Sequence, residues 1–246
     1  AGSGGLIAGN ASQVITRATG TASVSVGNNS NLLMDNLSLN ASYTGRFGAH
    51  ADSVNAALLG ASGAGVQNNL TGNSTVTVGV GALLVTRQDM LISASNHFYT
   101  QRFDDTAVSG AGGGVISGQA VVNETNITGN ALVNIGAAHL VAGLAPTGSI
   151  SGKLMVRAYS EQATSEDATL STGGGIAGGG AQNDHTSTLN NTINVASGAI
   201  LSSYGELGLG TYSLASAAVE ALVSTWGVAG GGRGQRQRQF DQQSKR

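Results

Sequence analysis

Apolar and polar residues alternate with period two along most of the chain. Val24-Ser25-Val26, Val76-Thr77-Val78, Val133-Asn134-Ile135 and Ile193-Asn194-Val195 each put β-branched residues on one face and hydroxyl or amide groups on the other, and a Gly-containing turn follows each. This pattern predicts half-buried strands that end where a positive φ is needed. A second kind of apolar stretch leads to a tyrosine: Leu37 to Tyr43, Leu91 to Tyr99, Leu154 to Tyr159 and Leu207 to Tyr212. A third landmark is glycine-rich, at 60–65, 110–114, 173–180 and 230–232. Helical periodicity is weak. The Ala content of Ser213 to Ser224 favours a helix, but its place in the order of landmarks makes it a strand.

The three landmarks recur in the same order. The alternating pairs open at Val24, Val76, Val133 and Ile193, and the tyrosines follow at Tyr43, Tyr99, Tyr159 and Tyr212. The interval from pair to tyrosine is shortest in the first and last copies, so the second and third are expected to carry insertions of four and seven residues in loops between the landmarks. The pentapeptides Tyr43-Thr44-Gly45-Arg46-Phe47 and Tyr99-Thr100-Gln101-Arg102-Phe103 share four of their five letters, and the bridges Leu70-Thr71-Gly72-Asn73 and Ile127-Thr128-Gly129-Asn130 match at nearly the same offset.

Recurrence at such a period marks a stacked, quasi-one-dimensional fold. The expectation is an all-β, parallel β-helix solenoid of four imperfect repeats of about 52–60 residues, spanning 1–232 as one domain. A unit of that length reads as two or three coils. With ten aromatic residues and one proline, the chain lacks the anchors and turns of a β-sandwich. The repeated glycine patches suggest a face where backbone closely approaches an opposite wall, a neighbouring solenoid or a ligand.

Composition fits this picture. Thirty-nine of 246 residues are Gly, none is Cys, and only 10% are charged. Low charge and recurrent Val, Ile, Leu and Ala argue for folding rather than disorder. The absence of Cys excludes disulfides and thiolate metal sites. No apolar run reaches the ~18 residues of a membrane span, and the N-terminal residues lack the basic start of a signal peptide. The chain is therefore expected to be a piece of a longer exported polypeptide. Residues 1–232 carry six Lys/Arg against twelve Asp/Glu, whereas 233–246 is a basic segment expected to form a flexible tail outside the repeat. Its charges lack interleaved aromatics, so no nucleic-acid partner is expected.

Candidate chemistry is sparse. Gly173-x-Gly175-x-x-Gly178 matches the dinucleotide fingerprint in form only, because neither a helix nor an acidic residue follows where the motif needs them. His50, His97, His139 and His185 show no metal-ligand spacing, and Asp184-His185 reads as a solvated turn. Asp104-Asp105 and Glu166-Asp167 read as solvated loops, with a cation site or a carboxylate pair as the alternative. Nine Asn-x-Ser/Thr triplets read as turn chemistry and exposed amide rows. Tyr43, Tyr99, Tyr159 and Tyr212, with Arg46, Arg102, Phe47 and Phe103, read as structural landmarks: an aromatic ladder at a coil corner, in preference to a ligand site with cationic forks. No catalytic residue, metal or cofactor is expected.

The order of alternating Val pairs before a Gly turn, Leu-x-Ala-type strands and Gly-Gly-Gly patches resembles the repeat regions of very large secreted bacterial exoproteins, the filamentous-haemagglutinin-like and leukotoxin-like filamentous adhesins. The resemblance covers residues 1 to about 232 and includes no secretion-domain motif or translocator barrel. It implies a right-handed β-helical shaft, export by a two-partner or autotransporter route, an extracellular or cell-surface location, and a non-catalytic role in adhesion or fibres. Expected partners are further copies of the chain, end to end or laterally, and host or matrix carbohydrate or protein. A polysaccharide-acting enzyme and a carbohydrate-binding module are the alternatives.

Overall fold

The computed structural model describes residues 1–100, 106–145, 148–149 and 151–245, and every regular element among them is a strand. In chain order these are β1 (Gly2–Val26), β2 (Asn31–Met34), β3 (Leu37–Phe47), β4 (His50–Val78), β5 (Leu83–Thr86), β6 (Met90–Thr100), β7 (Thr106–Ile135), β8 (His139–Ala142), β9 (Leu144–Ala145), β10 (Gly148–Ser149), β11 (Leu154–Val195), β12 (Ile200–Ser203) and β13 (Leu207–Lys245). The long strands stack in parallel in the order β1-β4-β7-β11, with β3 and β6 continuing the path and β13 closing it on β11. The short strands β2, β5, β8 and β12 stack in a parallel sheet of their own, and among the described residues only the β9–β10 pair is antiparallel. The chain is a parallel β-helix.

Each repeat is one coil, not two or three. A strand as long as β11 would span about 140 Å if straight, but it folds back on itself. Asn183 Nδ2 donates to the Glu166 carbonyl at 2.8 Å, and Ser160 Oγ donates to Asn191 Oδ1 at 2.7 Å. The strand therefore has an outgoing arm, a bend near Gly174 and a return arm, and the short strand closes the far end. Each coil is a flattened blade, wide at the short strand and thin at the bend. The unit uses so much chain because its arms are long, and the backbone ladder runs around the bend almost unbroken.

The predicted register holds for the alternating pairs: Val24, Val76, Val133 and Ile193 lie in one column. In the second landmark Leu37, Leu154 and Leu207 align with Met90, one residue before the expected Leu91. Ser213 to Ser224 is strand, within β13. Asn29, Gly81 and Gly198 take φ of 54°, 73° and 84° at the turns after the alternating pairs, which supplies the left-handed geometry that sequence predicted there. The seven-residue insertion lies before β11 and carries the antiparallel β9–β10 pair. The basic segment, set apart from the repeat by composition, is the continuation of the last return arm in backbone terms, since β13 keeps its register with β11 as far as Thr192 and Lys245.

The interior changes along the blade. At the wide end three walls enclose Val76, Leu84, Ile92, Val133, Leu140 and Val156, all fully buried. A middle cluster holds Phe47, Leu70, Phe98, Ile127 and Leu189, and a distal one holds small residues such as Ala51, Ala64, Val66 and Ala168. The Tyr43 and Phe98 rings, edge to face at 5.9 Å, lie between the walls. They fit because Gly20, Gly72 and Gly129 leave room: a Cβ at Gly20 would strike Tyr43, at Gly72 both rings, and at Gly129 Phe98. Thr19-Gly20-Thr21 and the two Thr-Gly-Asn bridges are thus cut-outs for aromatic rings.

Candidate functional site

Outward positions of the outgoing arm bring three of the tyrosine landmarks into one patch. Tyr159 and Tyr212 are paired across β11 and β13, and their rings stack at 4.7 Å and 9°. His97 meets the edge of Tyr159 at 5.5 Å. His97 Nδ1 lies 3.2 Å from Glu161 Oε2, and the Tyr99 hydroxyl reaches both, at 3.3 Å from the imidazole nitrogen and 3.5 Å from the carboxylate. Arg46 is the register partner of Tyr99, and Arg157 stands two residues before Tyr159, on the same outer face.

Burial, then the Glu161 carboxylate, raises the Tyr99 phenol above its ordinary value of 10.0, with Arg46 pulling the other way. Burial, then Tyr159 and Glu161, raises Tyr212, and Arg157 opposes the shift. Both phenols therefore stay protonated as donors and are poorer nucleophiles than free tyrosine. The patch presents ring edges, hydroxyl donors, one carboxylate and two guanidinium groups on a flat wall, which equips it for binding polar ligands.

The expected ladder of the two pentapeptides is not formed; of the four tyrosine landmarks only Tyr159 and Tyr212 stack ring on ring. Tyr43 pairs with Asn96, and Arg46, not Tyr43, lies beside Tyr99. The two pentapeptides are thus three residues out of register, and an odd slip turns a side chain to the opposite face. Tyr43 points inward against Phe98, whereas Tyr99 points outward. Phe47 is in the core. Arg102, Phe103, Asp104 and Asp105 lie outside the described residues.

A second constellation, inside the blade, overturns the reading of Glu166-Asp167 and Asp184-His185 as solvated segments. Glu166 and His185 are fully buried, and His185 Nδ1 lies 2.7 Å from Glu166 Oε1. The other ring nitrogen is 2.5 Å from Gln162 Nε2, and Ser187 Oγ donates to Gln162 Oε1 at 2.5 Å. With the Gln162 amide donating to Nε2, the imidazole carries its proton on Nδ1 and donates it to Glu166. This order of groups, hydroxyl to amide to imidazole to carboxylate, is a chain of hydrogen bonds without solvent contact, and it crosses from one wall to the other. The signal was present in sequence: counting by twos from Leu154 through Val156, Ala158, Ser160, Gln162 and Thr164 puts Glu166 on the inner face, just before Ala168 and Leu170.

Amide rows run along the axis on the return arm. Asn130 Nδ2 donates to Asn73 Oδ1 at 2.8 Å, Asn190 to Asn130 at 3.0 Å, and Asn194 to Asn134 at 2.9 Å. These asparagines lie within strands rather than in turns, and Asn ladders of this kind stabilise stacked parallel strands. Asn123 faces inward, bonded to Asn183 at 3.1 Å. Among the described residues no group of three His, Cys, Asp or Glu could hold a metal ion, and no helix is long and apolar enough to cross a membrane. No protein family model, no curated protein and no solved structure matches this chain.

Proposed function

We propose that the chain is a length of shaft from an extracellular bacterial filament or adhesin, with a structural rather than catalytic role in surface attachment, biofilm or fibre formation. The observation that carries this reading is the backbone ladder: outgoing arms, return arms and short strands each stack in parallel, and the terminal strands β1 and β13 each have a single long neighbour. Such a stack presents unpaired strand edges at both ends, and the same geometry accepts further coils without limit. Amide rows and the stacked tyrosines favour continuation, because each level completes the bonding of the one below. Electron microscopy of the native material tests the reading. Filaments are expected whose diffraction shows the ~4.8 Å strand spacing along the fibre; compact particles would refute it.

A second reading, glycan binding on the outer wall, is favoured by the Tyr99, Tyr159, Tyr212 and Arg157 patch. Retention of oligosaccharides on a glycan array, lost in Tyr212→Ala and Arg157→Ala, supports it; turnover of a bound polysaccharide would instead favour an enzyme.

A further inference from the structure

The thin edge of the blade is apolar and uncharged on every level. Residues 2–11, 54–63, 111–120, 171–180 and 224–232 occupy it and contain no Asp, Glu, Lys, Arg or His. Ile7, Leu59, Ile116 and Ile176 form one register row along its crest, and all are exposed. Leu6, Leu58 and Val115, just before the first three, and Val228, just before Ala229 on the last level, are exposed as well, with Gly175 between them on the fourth level.

The glycines beside this crest are of two kinds. Gly174 and Gly227 take φ of 156° and 154°, and a Cβ on either would run into the carbonyl oxygen of the neighbouring level; the bend itself requires them. Gly112, Gly114, Gly179 and Gly232 likewise leave no room for a Cβ, but a second set is not required by the fold. At Gly118 and Gly231 a Cβ would meet nothing within 4 Å, and at Gly113, Gly173, Gly178 and Gly180 its nearest contact would be a backbone oxygen at 3.7–3.8 Å, an ordinary distance. Gly118, Gly178 and Gly231 share one outer row with Gly9. Glycine within a strand costs roughly 0.5–1 kcal/mol relative to alanine, so smooth troughs that the chain's own packing does not demand point to something that approaches from outside.

We infer that this edge docks against the same edge of a second copy of the chain, so that shafts pair laterally. A copy fits for three reasons. Both surfaces are free of charge, so neither needs a compensating partner. The rows repeat every ~4.8 Å, a pitch that another stack of the same coils matches level for level, with the aliphatic crest of one seated in the glycine trough of the other. The crest side chains expose on the order of 800 Å², which is what one partner contributes to a standard interface, and more than a soluble monomer ordinarily leaves uncovered. The inference rests on the shaft reading only in that a longer chain would extend the same rows.

Sedimentation of the full chain tests it, beside an Ile116→Asp/Ile176→Asp variant and a Gly118→Gln/Gly178→Gln variant that fills the trough where a side chain has room. The expected result is a wild-type dimer that both variants weaken by at least about a hundredfold, with the circular dichroism of the Gln variant unchanged and its thermal midpoint no lower than wild type at a concentration where both are monomers. Three results would overturn it: a wild type that is monomeric at about 100 μM; association unaffected by either variant, as stacking through the open ends would give; or a monomer that binds uncharged phosphatidylcholine vesicles through this edge. Absence of filaments in micrographs would sink the shaft reading and leave the sedimentation result standing.

Discussion

At the wide end of each coil three walls close around Leu84, Val133, Leu140 and Val156, and the outer faces mix amide and hydroxyl groups with single exposed apolar residues such as Leu33, Val80 and Ile200. At the thin edge two walls converge on glycine and alanine, and the large aliphatic side chains are outside. The same backbone ladder runs through both regions. What differs is where volume fits: a three-walled corner has room for branched side chains, whereas a bend of two touching walls excludes them. Hydrophobic residues enclosed at the wide end therefore stabilise the fold, whereas those in the rows along the crest of the thin edge add little to it.

The comparison breaks most readily by exchanging the two kinds of position. Leu140→Ala should cost about 2–5 kcal/mol, the range for a leucine removed from a packed core, whereas Ile116→Ala should stay within about 0.5 kcal/mol in the monomer. Urea unfolding measures both, and equal losses would abolish the distinction. The polar middle of the blade comes next. Glu166→Leu alone should cost about 3 kcal/mol by stranding His185, and Glu166→Leu/His185→Leu should recover much of that loss, as replacing both members of a buried pair does; a double variant worse than the single would show the pair to be stabilising in itself.

Glycine tests the edge on a finer scale. Gly174→Ala forces an alanine into a strained φ and should cost about 1–3 kcal/mol, while Gly178→Ala should leave the monomer unchanged or stabilise it by up to about 1 kcal/mol. Thermal melts at low concentration separate them. The smallest expected effect concerns the outer wall. Tyr99 and Tyr212 have raised phenol values in the fold, so their contribution is complete below the unfolded value near 10 and declines as pH rises through the folded values. Absorbance titration of single-tyrosine replacements should place Tyr99 and Tyr212 above the ordinary tyrosine value of 10.0, and Glu161→Gln should bring Tyr99 down; an ordinary midpoint for both would contradict the assigned contacts.

Much of this was legible in sequence. Period-two alternation placed the strands, and the spacing of Val24, Val76, Val133 and Ile193 matched their register to the residue. The coil count was hidden because the bend near Gly174 reverses a strand without interrupting its ladder, so no polar loop marks the turn. The pentapeptides misled for another reason. Aligning Tyr43 with Tyr99 follows local likeness, whereas β3 and β6 pair Tyr43 with Asn96, and nothing in the residues themselves weighs one alignment against the other. Glu166 and His185 were misplaced because acidic and imidazole groups ordinarily seek water, although unbroken alternation from Leu154 already assigned Glu166 to the interior.

The central claim is that one repeat makes one coil. The chain has no cysteine, so introduced pairs report directly. Asn134 and Asn194 are register partners on adjacent levels, which puts their Cα atoms about 4.8 Å apart, inside the range a disulfide spans. Under mild oxidation Asn134→Cys/Asn194→Cys should cross-link rapidly and nearly completely within the monomer, while the offset control Asn134→Cys/Asn190→Cys should not. If each repeat made two or three coils, positions 134 and 194 would stand about 10–14 Å apart; failure of the in-register pair to close, or equal closure of the control, would contradict the fold described.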